Sequence, residues 1–281
     1  MAEDRDVLTR PAEPGITISY GEHEDQVVEV FPPRGEPRAT VLAIHGGFWR
    51  HEYDRAHLRP FCRALNDAGY GVVSLEYRRT GGGGGWPETL HDIESAVHEL
   101  DDQLLYYDLA GDIILTGHSA GAHLALCATT LDWGDHDPQA QDATDTDPFF
   151  VEPLPGPRPG PLSGVVALAP ITDLARCHAL NLDDGAAEAF MGGGPDDVPE
   201  EYVLADPAGF EERTYFELTV PVTVVHGDAD DRVPVAMSRD YAIRDRVELR
   251  ELRGVGHFEL IDPLSSAWPI VLAAFEDIAS G

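Results

Sequence analysis

Three stretches of the 281-residue chain carry residue types suited to nucleophilic acyl transfer. Ser119 lies in Gly117-His118-Ser119-Ala120-Gly121, a G-x-S-x-G pattern whose glycines let a strand and a helix approach closely and turn the serine oxygen outward. A serine hydroxyl is a poor nucleophile at neutral pH. It needs a histidine to take its proton and a carboxylate to fix the imidazole tautomer and stabilise the imidazolium. Of twelve histidines, His257 is the one placed after the last strand-like stretch, where Gly254, Val255 and Gly256 let a loop carry its ring to the serine. Asp228, Asp230 and Asp231 compete for the acid role, and each has the alternative of serving only as a turn residue or helix cap. His118 and His226 belong to the apolar flanks of these motifs and read as packed side chains rather than catalytic ones.

The elements that must position these residues are legible around them. Ile113-Ile114-Leu115 is a short apolar run of the kind that forms a strand buried on both faces, and residues 122–131 have helix-forming composition. A second such run, residues 39–44, ends abruptly in His45-Gly46-Gly47-Phe48-Trp49. Glycines directly after a buried strand permit a tight loop with its N–H groups turned inward, which is what a developing oxyanion requires. Residues 220–226 form a third run and deliver the three aspartates. Residues 16–20 and 26–31 predict an antiparallel hairpin of edge strands, and 70–77, 163–169 and 247–253 predict further strands. Helices are expected over 56–68, 87–105, 234–246 and 263–279. Strand and helix alternate from residue 39 to the end, which implies an α/β domain with a mostly parallel sheet covered on both faces.

We expect one such domain over residues 16–281, preceded by a loose arm over residues 1–15, which is polar and broken by Pro11, Pro14 and Gly15. Five glycines at residues 81–85 predict a mobile loop beside the substrate entrance; no G-K-[ST] follows, so a phosphate cradle is not indicated. Residues 132–161 form an acidic, proline-rich insertion without the D-x-[DN]-x-[DN]-G spacing of a calcium loop. Residues 171–215 hold short helical pieces broken by glycine and proline, a candidate cap or lid.

Acidic residues outnumber basic ones 51 to 19, for a net charge of −32, and every basic residue is arginine. A field of that sign repels nucleic acid and anionic membranes. Adaptation to salt and an arginine-biased codon usage both account for it. The charged N-terminus has no apolar run and no 18-residue apolar stretch occurs, so a cytoplasmic protein is expected. Cys62, Cys127 and Cys177 lack C-x-x-C spacing and no H-E-x-x-H occurs, so neither a disulfide framework nor a catalytic metal is expected, and no cofactor. The expected partner is a small-molecule ester or amide, with a homodimer left open.

From about residue 16 onward the chain resembles the α/β-hydrolase fold, whose triad occurs in the order Ser, Asp, His. His226-Gly-Asp-Ala-Asp-Asp-Arg-Val-Pro234 resembles the acid turn of these hydrolases, which implies Asp230 as the triad acid with Asp228 next. The resemblance also implies that the amides of Gly47, Phe48 and Ala120 form the oxyanion hole. More narrowly, His45-Gly-Gly-Phe-Trp49 together with Gly117-His-Ser-Ala-Gly-Ala-His-Leu-Ala125 is similar to the kynurenine formamidase (arylformamidase) group. Related carboxylesterases carry H-G-G-G instead. The similarity implies hydrolysis of N-formylkynurenine to kynurenine and formate through a formyl-serine. Trp49, Trp86 and Phe258, with Phe48, would then stack on the aromatic leaving amine, and Arg50, Arg78 or Arg79 would meet a substrate carboxylate. The acidic insertion and the glycine run depart from that group. A broad-specificity short-chain carboxylesterase is the alternative, and a non-catalytic binding protein on the same fold is the alternative of another class.

Overall fold

The protein is described by a computed structural model over residues 6–99, 106–109, 112–131, 133, 161–212 and 218–281. Among these residues eight strands form one sheet: β1 Ile16–Ser19, β2 Val27–Phe31, β3 Thr40–Ile44, β4 Gly71–Leu75, β5 Ile113–His118, β6 Leu162–Leu168, β7 Val222–Gly227 and β8 Val247–Leu252. Their order is β1-β2-β4-β3-β5-β6-β7-β8. Every pairing from β4 to β8 is parallel, whereas β1–β2 and β2–β4 are antiparallel. This is the α/β-hydrolase architecture that the motifs imply. Of the predicted hairpin only β1 is an edge strand, because β2 also pairs with β4.

Every residue of β3, β4, β5 and β7 is buried, the expected state of parallel strands covered on both faces. Side chains alternate between the faces and so feed two separate cores. Leu42, Ile44 and Leu115 join Val28, Leu124 and Trp49 on one side. Val41, Ala43 and Ile114 join Phe61, Tyr70 and Phe275 on the other. The covering helices include α1 Arg59–Asp67, α2 Glu88–Glu99, α3 Ala120–Ala128, α4 Leu174–Ala179, α5 Ala186–Met191, α6 Pro199–Ala205, α7 Val235–Tyr241 and α8 Trp268–Ser280. The register pairs Ile44 with Gly117 and His118 with Leu168, so β3, β5 and β6 end side by side. In open α/β sheets ligands bind at these carboxyl ends.

Two expectations about mobile segments are corrected. The arm described as loose is docked over its described part. Residues Asp6–Thr9 form a helical turn that buries Val7 in the second core, and Arg10 forms a two-point ion pair with Asp262, Nη2 to Oδ2 at 2.9 Å. Two adjacent apolar residues, Val7 and Leu8, among charges give no periodic signal. The glycine run is likewise closed into a turn, with the amides of Gly82 and Gly84 both donating to the Arg79 carbonyl at 2.8 and 3.0 Å. Helix α3 begins at Ala120 rather than residue 122, directly after the serine. Most of the acidic insertion, and the stretch after Glu99 expected to continue α2, lie outside the described residues. Among the described residues no helix is long and apolar enough to cross a membrane.

Candidate active site

Ser119 stands at the corner between β5 and α3 with φ 58° and ψ −121°, a conformation costly for a non-glycine residue. What holds it there is close backbone approach. A Cβ on Gly117 would lie 2.2 Å from the Gly121 carbonyl oxygen, and one on Gly121 would lie 2.2 Å from that of Ile44. Only glycine lets the start of α3 lean on the ends of β5 and β3. The Ser119 amide donates to Leu168 O at 2.8 Å, which ties the corner to β6.

β7 and β8 supply the other two groups. The amides of Asp228 and Ala229 donate to Leu252 O and Val255 O at 2.9 and 3.1 Å, so the acidic turn and the histidine loop are joined through their backbones. His257 Nδ1 donates to Asp230 Oδ2 at 2.6 Å. Of the three aspartates, Asp230 is the one in contact with this histidine among the described residues. Asp228 is exposed and accepts from the Gly254 amide at 2.6 Å, and Asp231 is exposed beside Arg232. Asp230 Oδ1 accepts from the amides of Arg232 and Val233 at 2.7 and 2.9 Å. Burial pushes the Asp230 carboxyl up, but hydrogen bonds from His226 and His257 and from the Val233 amide outweigh it and hold the group far below the usual carboxylate range.

The structure brings His257 against the serine corner through a residue the sequence reading set aside. His118 Nε2 donates to the His257 carbonyl at 3.0 Å, and the two rings lie 4.4 Å apart. Burial, then the neighbouring His257, lowers His118 well below the ordinary histidine value, so it stays neutral. His226 Nε2 meets the Asp230 carboxylate itself, at 3.1 Å from Oδ2. Both are packed, as expected, yet each touches a triad position. Their signal in the sequence was adjacency to the motifs, which cannot show that His118 meets a residue 139 positions away or that His226 turns its ring to the carboxylate four positions on.

The loop after β3 has the form an anion site needs. Gly47, Phe48 and Trp49 have φ of 113°, 50° and 57°, three consecutive residues in the left-handed region. Among the described residues the amides of Gly47, Phe48 and Ala120 are not spent on backbone acceptors. His45 anchors the loop: Nδ1 donates to Gly46 O at 2.8 Å and Nε2 to Glu76 Oε1 at 2.7 Å. A trans peptide points its N–H opposite its C=O, so turning the Gly46 carbonyl to this ring turns the Gly47 amide away from it.

Glu76 is fully buried and also accepts from Arg79 Nη1 at 2.8 Å and the Arg55 amide at 3.0 Å. Burial raises its pKa, but the charge and hydrogen bond of His45 and the charge of Arg79 overcome this and set it to about 2. Because the folded value lies below the unfolded one near 4.5, its contribution to stability is present above that pH and is lost as pH falls through about 2. Glu76→Gln is expected to cost about 3–5 kcal/mol, since it leaves buried cations without their carboxylate; urea unfolding at pH 7 measures this. A polar cleft of about 310 Å³ borders Glu76, with Asp25, His51 and Arg55 in its walls; Ser119, Asp230 and His257 do not line it.

The expected aromatic pocket is only partly supported. Phe258 lies edge-on to His257 at 5.0 Å and is half-buried. Trp49, by contrast, is fully buried in the core, stacked on Phe190 of α5 at 4.6 Å and edge-on to His123 at 5.1 Å. Trp86 packs edge-on to the same Phe190 at 6.3 Å. Trp49 therefore joins the loop to α5 instead of forming an open wall. The arginines are committed too. Arg50 pairs with Asp183 at 2.7 Å, Arg78 with Asp92 at 2.7 Å, and Arg79 with Asp25 at 2.7 Å and Glu76. Helix α6 is fastened to α3 by His123 Nε2, which donates to Ala205 O at 2.8 Å. Among the described residues no group of His, Cys, Asp or Glu has the arrangement of a metal site.

Comparison with known proteins gives the family. Esterase LipQ of Mycobacterium tuberculosis is 27% identical over 221 residues, which are 77% of this chain and 48% of that protein. Kynurenine formamidase of Danio rerio is 27% identical over 128 residues, 43% of this chain and 41% of that protein. The chain thus spans about half the length of the curated relatives it matches. Among solved structures, esterase B of Lactobacillus Rhamnosis superposes with a TM-score of 0.72 at 17% identity, covering 99% of this chain and 91% of its own. A truncated carbohydrate esterase from gut microbiota gives 0.71 at 18%, covering 96% and 97%. Est2 of Thermogutta terrifontis gives 0.65 at 19%, covering 95% and 93%. These structures share the fold. The BD-FAE family pattern spans residues 29–243, from β2 through the acid turn to the end of α7, and the chain belongs to this α/β-hydrolase family.

Proposed function

We propose that the protein is a serine hydrolase of the carboxylesterase type that cleaves small acyl esters through an acyl-serine at Ser119. The observation that carries the reading is the 2.6 Å bond from His257 Nδ1 to Asp230, with the His257 loop held to the serine corner through His118. With Nδ1–H committed to a carboxylate, the free lone pair is on Nε2, the nitrogen that takes the serine proton. Ser119 Oγ then attacks the acyl carbonyl, and the amides of Gly47, Phe48 and Ala120 receive the charge that develops on its oxygen. His257 returns the proton to the leaving group, whose bond to the carbonyl carbon breaks. Water repeats the sequence and releases the acid.

A second reading is an aryl formamidase, favoured by the His45-Gly-Gly-Phe-Trp49 motif and by the kynurenine formamidase relative. Burial of Trp49 removes one of the aromatic surfaces that reading relied on, which leaves the ester reading stronger. Turnover of p-nitrophenyl acetate and butyrate beside N-formylkynurenine separates them. Fast ester cleavage with negligible formamide turnover supports the esterase; the reverse ranking establishes the formamidase. Absence of any turnover, together with no labelling by a fluorophosphonate, would mean a binding protein on a hydrolase fold. Activity is expected to fall on the acid side, where an imidazolium cannot accept a proton; a rate independent of pH from about 5 to 8 would remove His257 as base.

A further inference from the structure

We propose that His226 is a positioning residue for the triad acid, dividing the Asp230 carboxylate between two histidines and aiming it at His257; this rests on the serine-hydrolase reading above. His226 ends in a fully buried position on β7 with both ring nitrogens engaged. Nε2 lies 3.1 Å from Asp230 Oδ2 and 3.0 Å from the Val233 carbonyl oxygen. A carbonyl oxygen can only accept, so Nε2 carries the hydrogen and shares it between these two oxygens. Nδ1 faces Ser238 Oγ at 2.7 Å, and in the neutral ring it accepts the serine hydroxyl proton. Ser238 is itself fully buried on α7. The Val233 carbonyl and the Asp230 carboxylate therefore set the tautomer, and the Ser238 hydroxyl, able to donate or accept, adapts to it.

The receiving oxygen is what links this ring to catalysis. Asp230 Oδ2 is also the oxygen that accepts from His257 Nδ1, while Oδ1 is occupied by the two turn amides. The carboxylate has no exposed side-chain surface, so protein donors alone fix its plane. Of the effects opposing burial at Asp230, the His226 hydrogen bond is the largest. The other titratable groups in reach are Glu251 on the neighbouring strand, which His226 influences, and His118, which packs on His257. Removing the His226 N–H would leave Oδ2 with His257 as its one side-chain donor and concentrate the negative charge there.

The test compares wild type, His226→Leu, His226→Phe and His226→Gln on p-nitrophenyl acetate, with the thermal transition of each recorded. His226→Leu is expected to lower kcat roughly 10- to 100-fold with little change in KM, a fraction of the ~10⁴-fold that follows loss of the acid's function. Its acid limb in kcat/KM should move to higher pH, because the undivided carboxylate favours the imidazolium of His257. His226→Gln, which keeps an N–H donor at similar reach, should restore most of kcat and the position of the limb. A merely structural role would change the thermal transition and leave the limb in place. A folded His226→Leu enzyme with wild-type kcat and limb overturns the proposal. Where that variant does not fold, His226→Phe, which keeps a ring without an N–H, decides: an upward-shifted limb supports the role, and a wild-type profile sinks it. Failure of the hydrolase reading is visible separately, as a wild-type protein with neither turnover nor fluorophosphonate labelling.

Discussion

Ser119→Ala is expected to lower kcat on p-nitrophenyl acetate by about 10⁶-fold and to abolish fluorophosphonate labelling. The hydroxyl is the only atom removed, and alanine fits where serine did, so a normal thermal transition should accompany the loss. The corner conformation is set by the glycine contacts on either side, and a side chain smaller by one oxygen does not disturb them. A residual rate above that of water is expected, since donors such as the Gly47 and Phe48 amides still polarise a bound acyl group. Combining Ser119→Ala with Asp230→Asn should cost little more than Ser119→Ala alone, because residues that act as one unit lose their function together. Additive losses from the two substitutions would show that Asp230 serves something other than the serine's activation.

Asp230→Asn alone is expected to reduce kcat by about 10⁴-fold. An amide at this position can present an N–H to His257 Nδ1, which would force the proton onto Nε2 and leave the serine facing a donor instead of a base. Asp228→Asn provides the control. Its Oδ1 accepts from the Gly254 amide, an interaction that an asparagine carbonyl can keep, so activity within about threefold of wild type is expected. Full activity in Asp230→Asn beside a large loss in Asp228→Asn would reverse the assignment.

Much of this protein could be read before any coordinates, and the parts that could are local. Continuous apolar runs such as residues 113–115 identify strands because a strand buried on both faces needs no polar alternation. Gly117 and Gly121 mark the serine corner because backbone approaching backbone excludes any Cβ. The parallel sheet follows from alternating strands and helices, and the order of Ser119, Asp230 and His257 follows from the chain itself. The docked arm was missed because Val7 and Leu8 are one adjacent apolar pair among charges, and a single pair has no period.

What the sequence by itself determined, then, is the set of elements, the corner at Ser119 and the triad candidates, since each depends on residue types within a few positions of one another. The motif put Asp230 first among three neighbouring aspartates, and the tertiary structure adds what the motif cannot, the contact of that carboxylate with a histidine 27 residues further on. The tertiary structure also took Trp49 out of the pocket, through Phe190 arriving from α5, and committed Arg50, Arg78 and Arg79 to carboxylates elsewhere in the fold. His226 is only four residues from Asp230, but its part in holding the acid shows only once the turn folds the carboxylate back onto its ring. Spacing and composition report backbone geometry and burial, whereas the identity of a contact depends on which distant surface packs there.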